Sequence, residues 1–78
     1  MMKLYKNLSG KKSGVTGYDI GKDFIIVQFG TGREYRHYKY TYNSAGSGII
    51  EKMKALAEAG SGLSTFISQN DPAYEDKY

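Results

Sequence analysis

The sequence predicts an α+β domain: a three-stranded antiparallel meander, with an N-terminal strand as an open addition, packed on one face by a C-terminal helix and a short second helix. Three observations carry this reading. Two β-rich runs and a tyrosine-rich one are separated by short glycine-containing breaks, and the pattern then changes from alternation to a spacing of three and four. The 78 residues contain no cysteine, so a single hydrophobic core has to supply the stability of a chain too short for a second domain.

The first run, VTGYDI from Val15 to Ile20, mixes β-branched and aromatic residues and ends at GKD, where Gly21 is free to take positive φ. The second, FIIVQF from Phe24 to Phe29, is the strongest strand in the chain. It breaks at Gly30–Gly32, and two such short connections between three strands imply a meander. Side chains alternate across a strand, so Ile25, Val27 and Phe29 form the row without a polar member and are assigned to the core, joined by Tyr18 and Ile20. Phe24 and Ile26 fall on the other face, with the N-terminal KLYKNL segment as a candidate cover.

YNSAGSG has no periodicity and reads as a flexible bridge. From Ser47 onward Ile49, Ile50, Met53, Leu56 and Ala57 build one apolar helical stripe opposite Glu51, Lys52, Lys54 and Glu58, with Ser47 as the expected N-cap and Gly60 as the stop. SGLSTFISQN then gives Leu63, Phe66 and Ile67 a shorter stripe, begun at Ser61 or Gly62. The expected core is Tyr18, Ile20, Ile25, Val27, Phe29, Ile49, Met53, Leu56, Leu63, Phe66 and Ile67. Residues 1–70 thus form the domain, and 71–78, acidic and holding the only proline, are expected to be a frayed tail.

The formal charge of +3 is unevenly spread. Residues 1–42 hold eight Lys/Arg against three acids, whereas residues 43–78 hold three lysines against five acids. A basic half of this kind steers polyanions, and it is also common on ordinary protein surfaces. The N-terminal MMKLYKNLSGKKSG lacks the apolar run of a signal peptide, and no window approaches the roughly 20 apolar residues of a membrane span. A soluble cytoplasmic protein without membrane contact is therefore expected.

Enzymatic chemistry finds little support in the residues. There is no cysteine nucleophile, and the single histidine, His37, lies in a strand with no legible Ser and Asp partners. Asp19 and Asp23 flank a turn, where acids commonly fix backbone geometry. No ligand spacing suggests a metal, and GVTGYDIGKD departs from the phosphate-binding G-x-x-x-x-G-K-[ST] pattern in spacing and in lacking a hydroxyl after its lysine. The expectation is a non-enzymatic module without a cofactor.

The informative stretch is REYRHYKYTYN, from Arg33 to Asn43. In a regular strand Glu34, Arg36, Tyr38, Tyr40 and Tyr42 point one way, and Tyr35, His37, Lys39 and Thr41 the other. Assigning Tyr35 to the core beside Val27 and Phe29 leaves the Tyr38, Tyr40 and Tyr42 row with Arg36 on the opposite face, unless a bulge reverses the alternation. Rings beside cations resemble the stacking platforms of single-strand binders, so Arg33, Arg36, Tyr38, Lys39, Tyr40 and Tyr42 are the candidate contacts to RNA or another polyanion. The same row would serve a protein partner, as an interaction or inhibitor module, or a homodimer; ordinary cross-strand tyrosine pairing remains the plainest account.

The order of these elements resembles the KTSC domain, a short module found at the C-terminus of some lysyl-tRNA synthetases and as free-standing small bacterial proteins. Gly17 and Tyr18, the FIIVQF strand, Gly30–Gly32, the tyrosines from Tyr35 onward, the helix from Ile49 to Ala59 and the junction GSGLSTFI carry the resemblance, which spans residues 13–70. Two features depart from it. The third strand is longer, so that Tyr35 with His37 or Tyr38 with Tyr40 could occupy the Tyr-x-Tyr positions, and SAGSG replaces a proline-containing approach to the helix. The resemblance implies the meander-and-helix fold and an association with tRNA-related proteins, but no activity.

Overall fold

The computed structural model describes residues 3–6, 14–30 and 36–78. Strands β1 (Lys3–Leu4), β2 (Val15–Ile20), β3 (Phe24–Phe29), β4 (Arg36–Thr41) and β5 (Asp76–Lys77) form one antiparallel sheet in that order. Helices α1 (Tyr42–Ala45), α2 (Ser47–Ala59) and α3 (Leu63–Asn70) lie between β4 and β5 in the chain. The α+β class and the meander order follow the sequence expectation; β1 fills the place left open for an N-terminal strand, and β5 is an unexpected addition at the other edge.

The first two predicted strands have the expected limits. Their ladder contains one irregularity: Val15 pairs with Phe29 but Gly17 pairs with Gln28, so Thr16 is an extra residue. The bulge brings Val15 and Tyr18, three positions apart, onto the same buried face, and it hides Val15 from simple alternation. Thr16 itself turns outward, where its Oγ1 accepts a hydrogen bond from Gln28 Nε2 at 3.2 Å. Gly21 is required for a reason other than positive φ, which it does not adopt. A Cβ there would overlap the Phe24 ring.

The core is the expected one, with additions. Ile25, Val27, Ile50, Met53 and Leu63 are completely enclosed, and each contributes roughly 1.5–3 kcal/mol by leaving water. Ile20, Phe29, Ile49, Leu56, Phe66 and Ile67 pack against them half-buried, while Tyr5, Val15, Tyr40, Ile50 and Ala57 are buried beyond the expected set. Tyr5 is a specific tie: its hydroxyl accepts the backbone N–H of Leu63 at 3.1 Å and so satisfies a donor in the open first turn of α3.

Two local readings around the helix ends are corrected. YNSAGSG is not a loose bridge, because Thr41 caps α1 through a reciprocal pair of bonds: Ser44 N–H to Thr41 Oγ1 at 3.1 Å and Thr41 N–H to Ser44 Oγ at 2.9 Å. Gly46, at φ 91°, takes the N-cap position of α2, which displaces Ser47 to the first helical residue. Gly60 ends α2 in the left-handed conformation as expected, its N–H donating to Leu56 and Ala57 carbonyls.

The tail from Asp71 to Tyr78 is likewise ordered against the sheet. Asp71 closes α3 with φ 43°, its N–H donating to Ile67 O at 2.8 Å, and Pro72 prevents any continuation. The chain then runs back along β4. Glu75 N–H donates to Lys39 O at 2.7 Å, His37 and Tyr78 exchange both backbone bonds at 2.7 and 2.9 Å, and Thr41 Oγ1 donates to Glu75 Oε1 at 3.2 Å. The acidic composition suggested fraying, yet the pairing uses backbone groups and is indifferent to it. Among the described residues, no helix is long and apolar enough to cross a membrane.

Candidate functional site

Register decides which way the tyrosines of β4 point. Phe29 pairs with Arg36, Val27 with Tyr38 and Ile25 with Tyr40, and directly opposed residues share a face. Ile25 and Val27 belong to the core, so Tyr38 and Tyr40 stand on the helix-covered face with them. This reverses the expectation that the row faces away: Tyr40 is only 3% exposed and Tyr38 half-buried, its ring meeting Phe29 edge-on at 5.4 Å. Tyr38 takes the place beside Val27 and Phe29 that the sequence reading gave to Tyr35. Arg33 and Tyr35 lie outside the described residues.

The remaining sequence-predicted contacts separate. Arg36, exposed at the start of β4, stays on the face of Tyr38 and Tyr40. Lys39 lies on the opposite face, its ammonium 4.9 Å above the Phe24 ring. Beside it His37 stacks on Tyr78 at 5.2 Å with planes 14° apart. Tyr42 has left the strand altogether and begins α1, where its hydroxyl donates to Glu51 Oε2 at 2.6 Å and Lys54 sits 5.4 Å over its ring. That hydrogen bond is the main cause raising the Tyr42 phenol and lowering the Glu51 carboxyl from their ordinary values.

What the fold assembles instead is a pocket of about 370 Å³ at the corner where β3, β4, α3 and the returning tail meet. Phe29, Tyr38, Tyr40 and Tyr74 supply aromatic rings, Ile67 and Pro72 further apolar surface, and Arg36 and Asp71 one charge of each sign. Tyr38 and Tyr40 lie nearly parallel, centroids 6.3 Å apart, because they are two residues apart on one strand face. Tyr74 stands across them at 85° and 87°, with centroids at 5.0 and 6.5 Å. Edge-on contacts of this kind are the favoured aromatic arrangement, and they hold the tail over β4.

The electrostatics of the corner are mixed. Lys77, opposite Tyr38 in the ladder, places its ammonium 5.5 Å over the Tyr38 ring. Burial pushes the Tyr40 phenol up to about 12, with smaller contributions from Tyr38, Asp71 and Tyr74. Tyr40 is therefore a neutral hydroxyl at the pocket floor at any ordinary pH, able to donate as well as accept a hydrogen bond.

Of the contacts expected from the sequence, Arg36, Tyr38 and Tyr40 line this pocket; Asp71, Pro72 and Tyr74, which also line it, and the adjoining Lys77 were not among them. The available signal was two tyrosines, Tyr74 and Tyr78, within an eight-residue tail read as solvated. Among the described residues, no group of three His, Cys, Asp or Glu side chains could hold a metal ion. No protein-family model, curated protein or solved structure matches the chain.

Proposed function

We propose that this chain is a non-enzymatic binding module that takes a nucleobase of single-stranded RNA into the corner pocket, with Arg36 and Lys77 attracting the attached phosphates. The observation that carries this reading is the convergence of four aromatic rings on a pocket flanked by two cations. The pocket lies within the usual range of roughly 300–1,000 Å³ for small-ligand sites, so it suits one inserted ring and not a row of three open stacking surfaces. Stacking on aromatic side chains and charge along the backbone are the two ingredients of single-strand recognition. Membership among KTSC-like domains, with their association with tRNA-related proteins, and a cytoplasmic setting are part of the same proposal. The succession of β2, β3 and β4, then α2 and the shorter α3, supports that placement, with the four-residue α1 as an addition before α2.

Fluorescence anisotropy of a labelled short RNA of mixed sequence tests it. Affinity is expected to fall linearly with salt on logarithmic axes, and Arg36→Gln or Lys77→Gln should each reduce the slope by about 0.7. Lys39→Gln, on the opposite sheet face, should leave the slope unchanged. No binding at low salt would overturn the proposal. Recovery of one stoichiometric protein partner without RNA would replace it with the protein-interaction or inhibitor reading.

A further inference from the structure

Asp71 concentrates several local costs at the mouth of the pocket. It is the only non-glycine residue at positive φ among those described, and its φ of 43° and ψ of 56° place an L side chain in the left-handed region. It precedes Pro72, a position that favours extended backbone. Its carboxylate also sits at the C-terminal end of α3, where the helix dipole favours a positive charge. Glycine or asparagine would close the helix with less conflict. Among the described residues the carboxylate makes neither a hydrogen bond nor an ion pair, so none of them offsets the conflict. Strain of this kind, found at the rim of a pocket, points to a use there.

Chemistry narrows the use. A carboxylate offers two acceptor oxygens side by side and no donor. Arg36, which also lines the pocket, is left to the phosphate, so the base edge falls to the carboxylate. A base matching it needs two adjacent donors on one edge and no acceptor between them. Guanine has them in N1–H and N2–H. Adenine and cytosine each place an acceptor next to their amino donor, and uracil flanks its one donor with carbonyls, which a carboxylate repels. A cationic ligand is disfavoured because the Lys77 ammonium already lies against the Tyr38 ring.

We infer that Asp71 is the specificity-determining residue of the corner pocket and that it selects guanine. The inference rests on the proposed RNA-binding reading, and its failure can be told apart from the failure of that reading.

The test compares short single-stranded RNAs, UUGUU, UUAUU, UUCUU and UUUUU, on the full chain and on Asp71→Asn. Asparagine tolerates the left-handed conformation well, so the variant keeps the backbone while losing the charge and one of the paired acceptors. An unchanged amide NMR spectrum away from residue 71 would verify this. The full chain is expected to bind UUGUU roughly tenfold or more tighter than the other three, the discrimination typical of a two-bond base contact. Asp71→Asn should bring all four within a factor of about three of one another. Equal binding of the four RNAs by the full chain would overturn the guanine assignment and leave the pocket reading standing, and a guanine preference that survives in Asp71→Asn would overturn the role of Asp71. Absence of binding to every RNA would overturn both readings.

Discussion

Beneath α2 and beneath α3, the same face of the sheet is filled in different ways. Under α2 the contacts are aliphatic: Ile25 and Val27 from β3 meet Ile50 and Met53, and none of the four keeps any exposure. Under α3 the contacts are aromatic: Phe29, Tyr38 and Tyr40 meet Ile67 and the returning Tyr74, and a pocket of about 370 Å³ remains. Branched and flexible aliphatic chains interdigitate into a dense core, whereas rigid rings meeting edge-on leave angular space between them. The thirteen-residue α2 covers its ground completely, and the eight-residue α3 ends at Asp71 before it can. Stability should therefore reside mainly in the first region and recognition in the second.

The largest effect expected is at Met53. Met53→Ala opens a cavity in a fully enclosed site and should destabilise the fold by roughly 2–5 kcal/mol, measured by urea unfolding. For a small domain that approaches the whole folding free energy. A loss below about 1 kcal/mol would show that the region under α2 is not the close-packed one.

Tyr74→Ala separates the two regions in the other direction. Tyr74 is 49% exposed and lays its ring against those of Tyr38 and Tyr40, so its truncation should cost little global stability. RNA affinity should fall by about 1–3 kcal/mol, the usual worth of one base–aromatic contact. If unfolding and binding shift together, the pocket is part of the core and the division fails.

Tyr40 lies on the boundary, and pH probes it. Its phenol is pushed up to about 12 in the folded chain against 10 when unfolded, so the folded state retains the proton longer. The resulting stabilisation is complete below pH 10 and is lost as pH rises through about 12. Tyr40→Phe lacks this dependence, so the wild type should lose on the order of 1–2 kcal/mol relative to the variant across that interval, seen in paired urea titrations. Parallel curves for the two proteins would mean that the hydroxyl is as well solvated in the fold as out of it.

The two regions also differed in how far they could be read from the sequence. The aliphatic one was legible because FIIVQF alternates cleanly and Ile49, Ile50, Met53, Leu56 and Ala57 recur at helical spacing; the choice of Ile49 and Leu56 over the more deeply buried Ile50 and Ala57 was off. The aromatic one was not, because tyrosine suits either face of a strand and gives alternation nothing to choose between. With Tyr35 assumed inward, every later residue of β4 took the wrong side, since a shift of one position reverses a whole strand. Val15 was lost to a bulge and Tyr5 to a segment with no pattern. The two-residue β5 has too little sequence to announce itself; it exists because β4 offers it backbone groups.

The smallest effect is expected at Tyr42, the member of the sequence-predicted row that the fold removes from the site. Its hydroxyl is bound to Glu51, and Glu51 also pairs with Lys54 at 2.9 Å, while Lys54 donates to Lys22 O at 3.0 Å. These exposed groups link α1, α2 and the turn after β2 at the surface, where screening leaves ion pairs little net weight. Tyr42→Phe removes the donor to Glu51, whose carboxyl should return upward toward its ordinary value when followed by NMR titration. Glu51 is lowered because its anion accepts that bond, so the contribution exists above the ordinary carboxylate range and disappears as pH falls through the lowered folded value; Tyr42→Phe should weaken that acid-side dependence. RNA affinity should not change, because Tyr42 shares neither a wall nor a charge with the corner pocket. A loss of affinity in Tyr42→Phe comparable to that in Tyr74→Ala would return the contact surface to the open row and away from the pocket.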